Sequence, residues 1–151
     1  MKKLAILAAA LAVTACAAPP AYIPIDKSRT VALTKDEAWS NAVEYFASGN
    51  ITIRTIEKDS GIIYAERMFG TGSDVSQFAD CGAPGMSVPI GATVDLNVFV
   101  REAGDGVNVT VNARFSQQRQ SAWDKSISSV ECSSLGVIEE RILDAIAGSA
   151  S

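Results

Sequence analysis

Ala92-Thr93-Val94-Asp95-Leu96-Asn97-Val98-Phe99-Val100-Arg101-Glu102 is followed, after a short break, by Val107-Asn108-Val109-Thr110-Val111-Asn112-Ala113-Arg114-Phe115-Ser116-Gln117. In both stretches apolar residues fill every second position, the period of a strand with one face in a core and one in water. Ala103-Gly104-Asp105-Gly106 closes the two into a hairpin. That loop sets Val100 opposite Val109, Val98 opposite Val111, Leu96 opposite Ala113 and Val94 opposite Phe115. On the other face the same register brings Asp95 opposite Arg114. A slip of one residue would turn the valines to water, so both faces demand one register. The polar face, with Phe99 and Arg101 beside Thr110 and Asn112, reads as a solvated sheet face, and glycan or peptide binding is the alternative.

Upstream, residues 51–57 and 62–68 read as a second hairpin closed by the three-residue loop Asp59-Ser60-Gly61. That register predicts Arg54 facing Glu66 and Ile56 facing Tyr64, both favourable cross-strand pairs. Before it, residues 29–33 are β-prone, and Thr34 with Glu37 three positions later has the spacing of a capping box. Trp39, Ala42, Val43 and Phe46 then form one helical stripe, ended by Gly49 and Asn50. A second helix is expected after Ser133 and Ser134, which offer N-caps, with Leu135, Ile138, Ile142 and Ile146 as its apolar stripe. Glu139 and Glu140 read as its wet face, and Gly148 marks its end. Residues 116–134 are polar around an isolated Trp123 and are expected to return the chain towards the helices.

The first residues read as a secretory leader: Lys2 and Lys3, an apolar run over 4–13, then small residues. A run of about ten apolar residues falls short of the roughly 20 that a membrane-spanning helix needs. At its end, Val13-Thr14-Ala15-Cys16 resembles the lipobox of bacterial lipoproteins. The resemblance implies cleavage before Cys16 and a lipid on that residue, and Ala17 after it resembles lipoproteins sorted to the outer membrane. The expected organisation is a signal peptide over 1–15, a lipidated Cys and Pro-rich tether over 16–25, and a single α+β domain over 26–151. Pro19, Pro20 and Pro24 forbid helix in the tether. In polyproline form, at about 3.1 Å per residue, it would hold the domain roughly 25 Å from the lipid.

With Cys16 given to lipid, the remaining pair in an exported chain reads as a disulfide, Cys81 to Cys132. Closing a loop of about 50 residues contributes roughly 4 kcal/mol in the chain-entropy model. Reactive thiols are the alternative, without a Cys-x-x-Cys motif or a Lys-rich neighbourhood to support it. Cys81 sits in residues 69–91, rich in Gly, Ser and Asp and containing Pro84 and Pro89. Loops of that length are usually functional or disordered. A bridge would pin this one, which makes its apolar residues Phe78 and Met86 the candidate partner-binding site.

Composition excludes several kinds of work. The 13 Lys and Arg residues less Lys2 and Lys3 leave 11 against 17 Asp and Glu, a net charge of −6. Such a domain is poorly matched to nucleic acid, so membrane attachment falls to the lipid. There is no histidine, which removes Ser-His-Asp catalysis and His-ligated metals. Asp74, Asp80, Glu139 and Glu140 would have to converge in a cleft to act as acid and base. No catalytic residue, metal or cofactor is assigned.

The expected fold is α+β: an antiparallel sheet of about four or five strands with two amphipathic helices on one face, in the order β-α-β-β-β-β-α. On Asp36-Glu37-Ala38-Trp39, the Asp59-Ser60-Gly61 turn with Ile62 to Glu66 after it, and the final helix, the mature chain resembles small proteobacterial lipoproteins with a domain of BamC or TATA-binding-protein type. BamC has two such domains and this chain has room for one. The expected function is a non-catalytic interaction or scaffold module with an envelope protein as partner, anchored by lipid in the outer membrane and facing the periplasm. The alternative is a periplasmic lipoprotein that binds a ligand or inhibits an envelope hydrolase.

Overall fold

A computed structural model describes residues 24–70 and 75–148. The leader, the lipobox with Cys16, nearly all of the tether, and Asp74 lie outside the described residues. The elements are β1 (Ser28–Val31), α1 (Lys35–Ser48), β2 (Thr52–Glu57), β3 (Ile62–Phe69), a 3-10 turn at Val75–Gln77, β4 (Ala79–Asp80), β5 (Ser87–Ala103), β6 (Gly106–Ser121), β7 (Ile127–Ser134) and α2 (Val137–Ile146).

The long β5–β6 hairpin is the spine, with Val94 paired to Phe115, Asp95 to Arg114, Leu96 to Ala113, Val98 to Val111 and Val100 to Val109. The sheet has seven strands in the order β2-β3-β5-β6-β7-β4, and β1 lies alongside the first half of β6, end to end with β7. The expected sheet of four or five strands in the order β-α-β-β-β-β-α is therefore corrected, although an α+β composition still describes the chain. The reason lies in the polar parts of the sequence. Beyond Phe69, which pairs with Ala92, residues 87–91 of β5 have only β6 beside them among the described residues, so Pro89 sits on a local edge where its missing N–H costs no ladder bond. Residues 127–134, serine-rich and without alternation of apolar side chains, form β7 against residues 115–120 of β6. Residues 79–80 and 87–91 of the expected 69–91 loop, and most of the 116–134 return, are thus strand.

One face of the sheet carries Ile63, Ala65, Val94, Leu96, Val98, Val100, Val107, Val109, Val111 and Phe115, all at 0% exposure. Both helices pack on this face and on each other. In α1 the capping box forms: the Thr34 hydroxyl accepts from the Glu37 N–H at 3.2 Å and the Thr34 N–H donates to the Glu37 carboxylate at 2.9 Å. The bond from the Thr34 N–H, and after it the one that the Thr34 hydroxyl donates to the same carboxylate at 2.7 Å, hold the Glu37 carboxyl below its ordinary range. The buried stripe is Ala38, Trp39, Ala42 and Phe46. Asn41 donates to the Ile146 carbonyl at 3.0 Å, giving an orphan carbonyl at the end of α2 a partner across the helix pair.

α2 starts later than the serines suggest. Ser134 is still in β7, opposite Ala79, and Gly136 at φ 82° is the N-cap, with no side-chain cap bond. The Ser134 hydroxyl accepts from the Gly136 N–H at 3.1 Å and donates to the Glu139 carboxylate at 2.9 Å. Leu135 therefore falls outside the helix. The buried face becomes Ile138, Glu139, Ile142, Leu143 and Ile146, which puts Glu139 at 0% exposure instead of in water. Its Oε1 lacks a hydrogen-bond partner among the described residues.

The β2–β3 hairpin also differs in register. Glu57 pairs with Ile62, Ile56 with Ile63 and Thr55 with Tyr64, and the ladder shifts between Ile53 and Thr55. The expected pairs shift because the turn spans 58–61, with Gly61 at φ 70° donating to the Lys58 carbonyl at 3.1 Å. Arg54 sits in the resulting bulge and still reaches Glu66, at 3.1 Å.

Candidate functional site

The candidate site is built at the end of the sheet where the apolar pattern gives out. Here β5, β6 and β7 run on as a three-stranded arm, closed by the 122–125 turn between β6 and β7. Asp124 organises that turn by accepting from the Ser126 hydroxyl at 2.8 Å and the Ser126 N–H at 3.2 Å. Hydrogen bonds from the Ser121 hydroxyl and then from Ser126 lower its carboxyl from 3.8 to about 2.

The arm's inner side is filled by polar groups in place of valines. Arg119 is 7% exposed and Gln117 is 4% exposed. The Arg119 guanidinium donates to the Gln117 side-chain oxygen at 2.8 Å, to the Ala83 carbonyl at 3.1 Å, to the Gly82 carbonyl at 2.9 Å and to the Cys81 carbonyl. Cys81 is bonded to Cys132, 51 residues along the chain, on β7. One cation and one disulfide thus clamp the 81–83 segment onto the arm.

Four large apolar side chains are left on the arm's end: Met86 at 64% exposure, Val88 at 60%, Trp123 at 78% and Ile127 at 63%. Val88 is opposite Gln120, and Gln120 is opposite Ile127, so Val88 and Ile127 share the sheet face turned away from the helices. Met86 joins the same end through its carbonyl, which accepts from the Ala122 N–H at 3.0 Å. Of the two residues singled out from sequence, Met86 is in this cluster. Phe78 is not: it is 4% exposed, against Phe69 with ring centroids 5.6 Å apart and beneath Arg141 at 5.2 Å. The 3-10 turn and β4 draw that part of the segment into the core, so an apolar residue read as displayed is a packing residue.

Beside the cluster runs an open strand edge. The Ser121 N–H donates to the Ser126 carbonyl at 2.9 Å, which fixes the phase of the β6–β7 ladder. By the alternation of antiparallel pairs, Ser128 and Val130 bond to β6, whereas Ile127, Ser129 and Glu131 turn their N–H and C=O groups outward. β4 covers this edge at Ser133 and Ser134, and Cys81, next along the chain, covers it at Cys132 with Cα atoms 4.1 Å apart. Among the described residues no strand pairs with Ile127 to Glu131 from that side. The opposite sheet edge, β2, is interrupted by the Arg54 bulge and its ion pair, devices that blunt strand addition. β7 has no bulge, no proline and no charge before Glu131.

Two grooves complete the surface. One of about 440 Å³ lies under the clamped segment, lined by Val75, Ala79, Asp80, Pro84, Pro89 and Gln117 among others. Another, of about 250 Å³, lies on the polar sheet face among Phe99, Arg101, Asn108, Thr110 and Asn112. The carboxylates considered from sequence are placed apart in character: Asp80 is exposed and accepts from the Gly82 N–H at 2.8 Å, Glu139 is enclosed, and Glu140 is exposed. Sequence reasoning missed Val88, Ile127 and the β7 edge. A usable signal was the Asp124-Lys125-Ser126 turn between two runs of uncharged, β-tolerant residues.

Compared with known proteins, the chain matches no family model and no curated protein.

Proposed function

We propose that the protein is a lipid-anchored lipoprotein of the bacterial envelope that works as a non-catalytic docking module, with the end of the β5–β6–β7 arm as its contact surface for another protein. The observation that carries this reading is the cluster of Met86, Val88, Trp123 and Ile127, exposed together beside an unpaired strand edge on a clamped support. Isolated surface apolar residues need no explanation, but a cluster containing an exposed Trp on a rigid scaffold has the make-up of a binding hot spot. The Val13-Thr14-Ala15-Cys16 pattern supports the anchor, with a lipid on Cys16, an outer-membrane location facing the periplasm, and no role for nucleic acid.

The space between sheet and helices favours docking over enclosure of a ligand. Among the described residues it is filled by Phe46, Phe115, Leu96, Ile142 and Ile146, all at 0% exposure. The grooves that exist are open surface features.

In-cell photo-crosslinking tests the reading. Probes at Val88 and Trp123 are expected to give a discrete protein adduct, and a probe at Asn112 on the polar face none. Absence of any adduct from the first two positions, in a membrane-localised and disulfide-bonded protein, would overturn it.

A further inference from the structure

We infer that the β7 edge is a self-association surface: it pairs antiparallel with β7 of a second copy of this chain, about a twofold axis at Ser128. The inference rests on the docking reading above and names its partner.

Strand addition requires that residues directly opposite one another both turn their backbone groups towards the new neighbour. Ile127, Ser129 and Glu131 do so. A twofold axis at Ser128 sets Ile127 opposite the partner's Ser129, and Ser129 opposite the partner's Ile127, so the hydrogen-bonding phases agree. The same register brings Lys125, in the turn that leads into β7 with φ at 60°, close to the partner's Glu131, and Glu131 close to the partner's Lys125. One symmetry operation therefore makes two pairs of opposite charge across a self-complementary edge.

The open length fits as well. Beyond Glu131 the edge is taken by Cys81 at Cys132 and by β4 at Ser133, so an added strand must end there. With the axis at Ser128 the partner's turn begins at that point. Moving the axis to Ser129 drives the partner's turn further onto β4 and sets Ile127 against the partner's Glu131. Moving it to Ile127 loses ladder bonds and leaves Glu131 opposite the partner's Trp123. In the favoured register the two Ile127 side chains become diagonal neighbours, about 7–8 Å apart, on the face they now expose to water. Because β2, the other edge, is bulged and charged, pairing stops at two copies and does not continue as a filament.

Sedimentation of the full-length lipoprotein in detergent micelles, at several protein concentrations, reads the dimer directly. The wild-type chain is expected to dimerise. Glu131→Lys turns both charge pairs repulsive and should raise the dimer dissociation constant about ten-fold, and the double variant Lys125→Glu with Glu131→Lys should restore it. Ser129→Pro should abolish the dimer while leaving the fold intact, because its N–H faces away from β6. A wild-type chain that stays monomeric, or a double variant that fails to recover from Glu131→Lys, overturns the inference. A photo-probe at Ile127 separates it from the reading beneath it. An adduct of twice the chain mass supports self-pairing, an adduct with a different protein refutes it but leaves the docking module standing, and no adduct refutes both.

Discussion

Arg119 closes the inner face of the sheet where apolar residues run out. Four of its five N–H donors meet one side-chain oxygen and three loop carbonyls, which are strong acceptors for a buried cation. Replacing it with Met keeps most of the volume and leaves those carbonyls without donors. Arg119→Met is therefore expected to lower stability by about 2–3 kcal/mol in urea titrations and to speed amide exchange over 81–86. An unchanged midpoint would mean the clamp is idle. At the outer end of the arm, Asp124 has a folded carboxyl near 2 against an ordinary 3.8, held there by the hydroxyls of Ser121 and Ser126. A depressed folded value contributes stability above the unfolded value and loses it as pH falls through the folded one. The 122–125 turn should stay ordered down to about pH 4 and loosen between there and pH 2. Trp123 fluorescence and the Ser126 amide shift report this, and a transition centred near 4 would show that the serine bonds do not hold the carboxylate.

At the scale of elements, the hairpins join through close backbone approaches that tolerate no side chain. The Gly61 carbonyl accepts from the Val100 N–H at 2.8 Å, and a Cβ on Gly61 would lie 2.1 Å from the Val100 carbonyl oxygen. With φ at +70° as well, Gly61→Ala should cost more than about 3 kcal/mol by separating the β2–β3 turn from β5; a loss below about 1 kcal/mol would show that the turn can move aside. Elements whose side chains alternate were legible in the sequence. The register of residues 92–117 follows from Val94 to Val100 and Val107 to Phe115, and the start of α1 follows from Thr34 and Glu37. Elements stabilised by polar burial were not legible. Gln117 and Arg119 face inward as Val111 does, yet their side chains carry no apolar signal, so β6 seemed to end four residues early. β7 depends on Cys132 and on backbone pairing to β6, neither of which alternation records. Glu139 was misread because the helix frame depends on where Leu135 leaves the strand, a tertiary outcome. The candidate site shared this weakness: Met86 was legible as an apolar residue among turn formers, and the edge beside it was not.

For the whole molecule, the proposed anchor and the arm belong to one arrangement. β7 runs roughly 24 Å from Ile127 to Ser134 at about 3.4 Å per residue, and Pro24 lines the same groove as Leu135, just past its end. On the proposed reading, a tether from Cys16 to Pro24 would leave the arm free to meet a partner near the lipid surface. Cys16→Ser should move the protein from the membrane fraction to the soluble periplasmic fraction while leaving the disulfide formed. Retention in the membrane would refute the lipid anchor. The docking claim itself is tested most directly by residue-resolved amide exchange, comparing isolated envelope vesicles with the dilute, detergent-solubilised protein. The outward amides of Ile127, Ser129 and Glu131 should exchange quickly in dilute detergent and become protected in the envelope, while those of Ser128 and Val130, bonded to β6, stay slow in both. If the three outward amides exchange equally fast in the envelope, the arm is not occupied there and the account of this protein as a docking module is wrong.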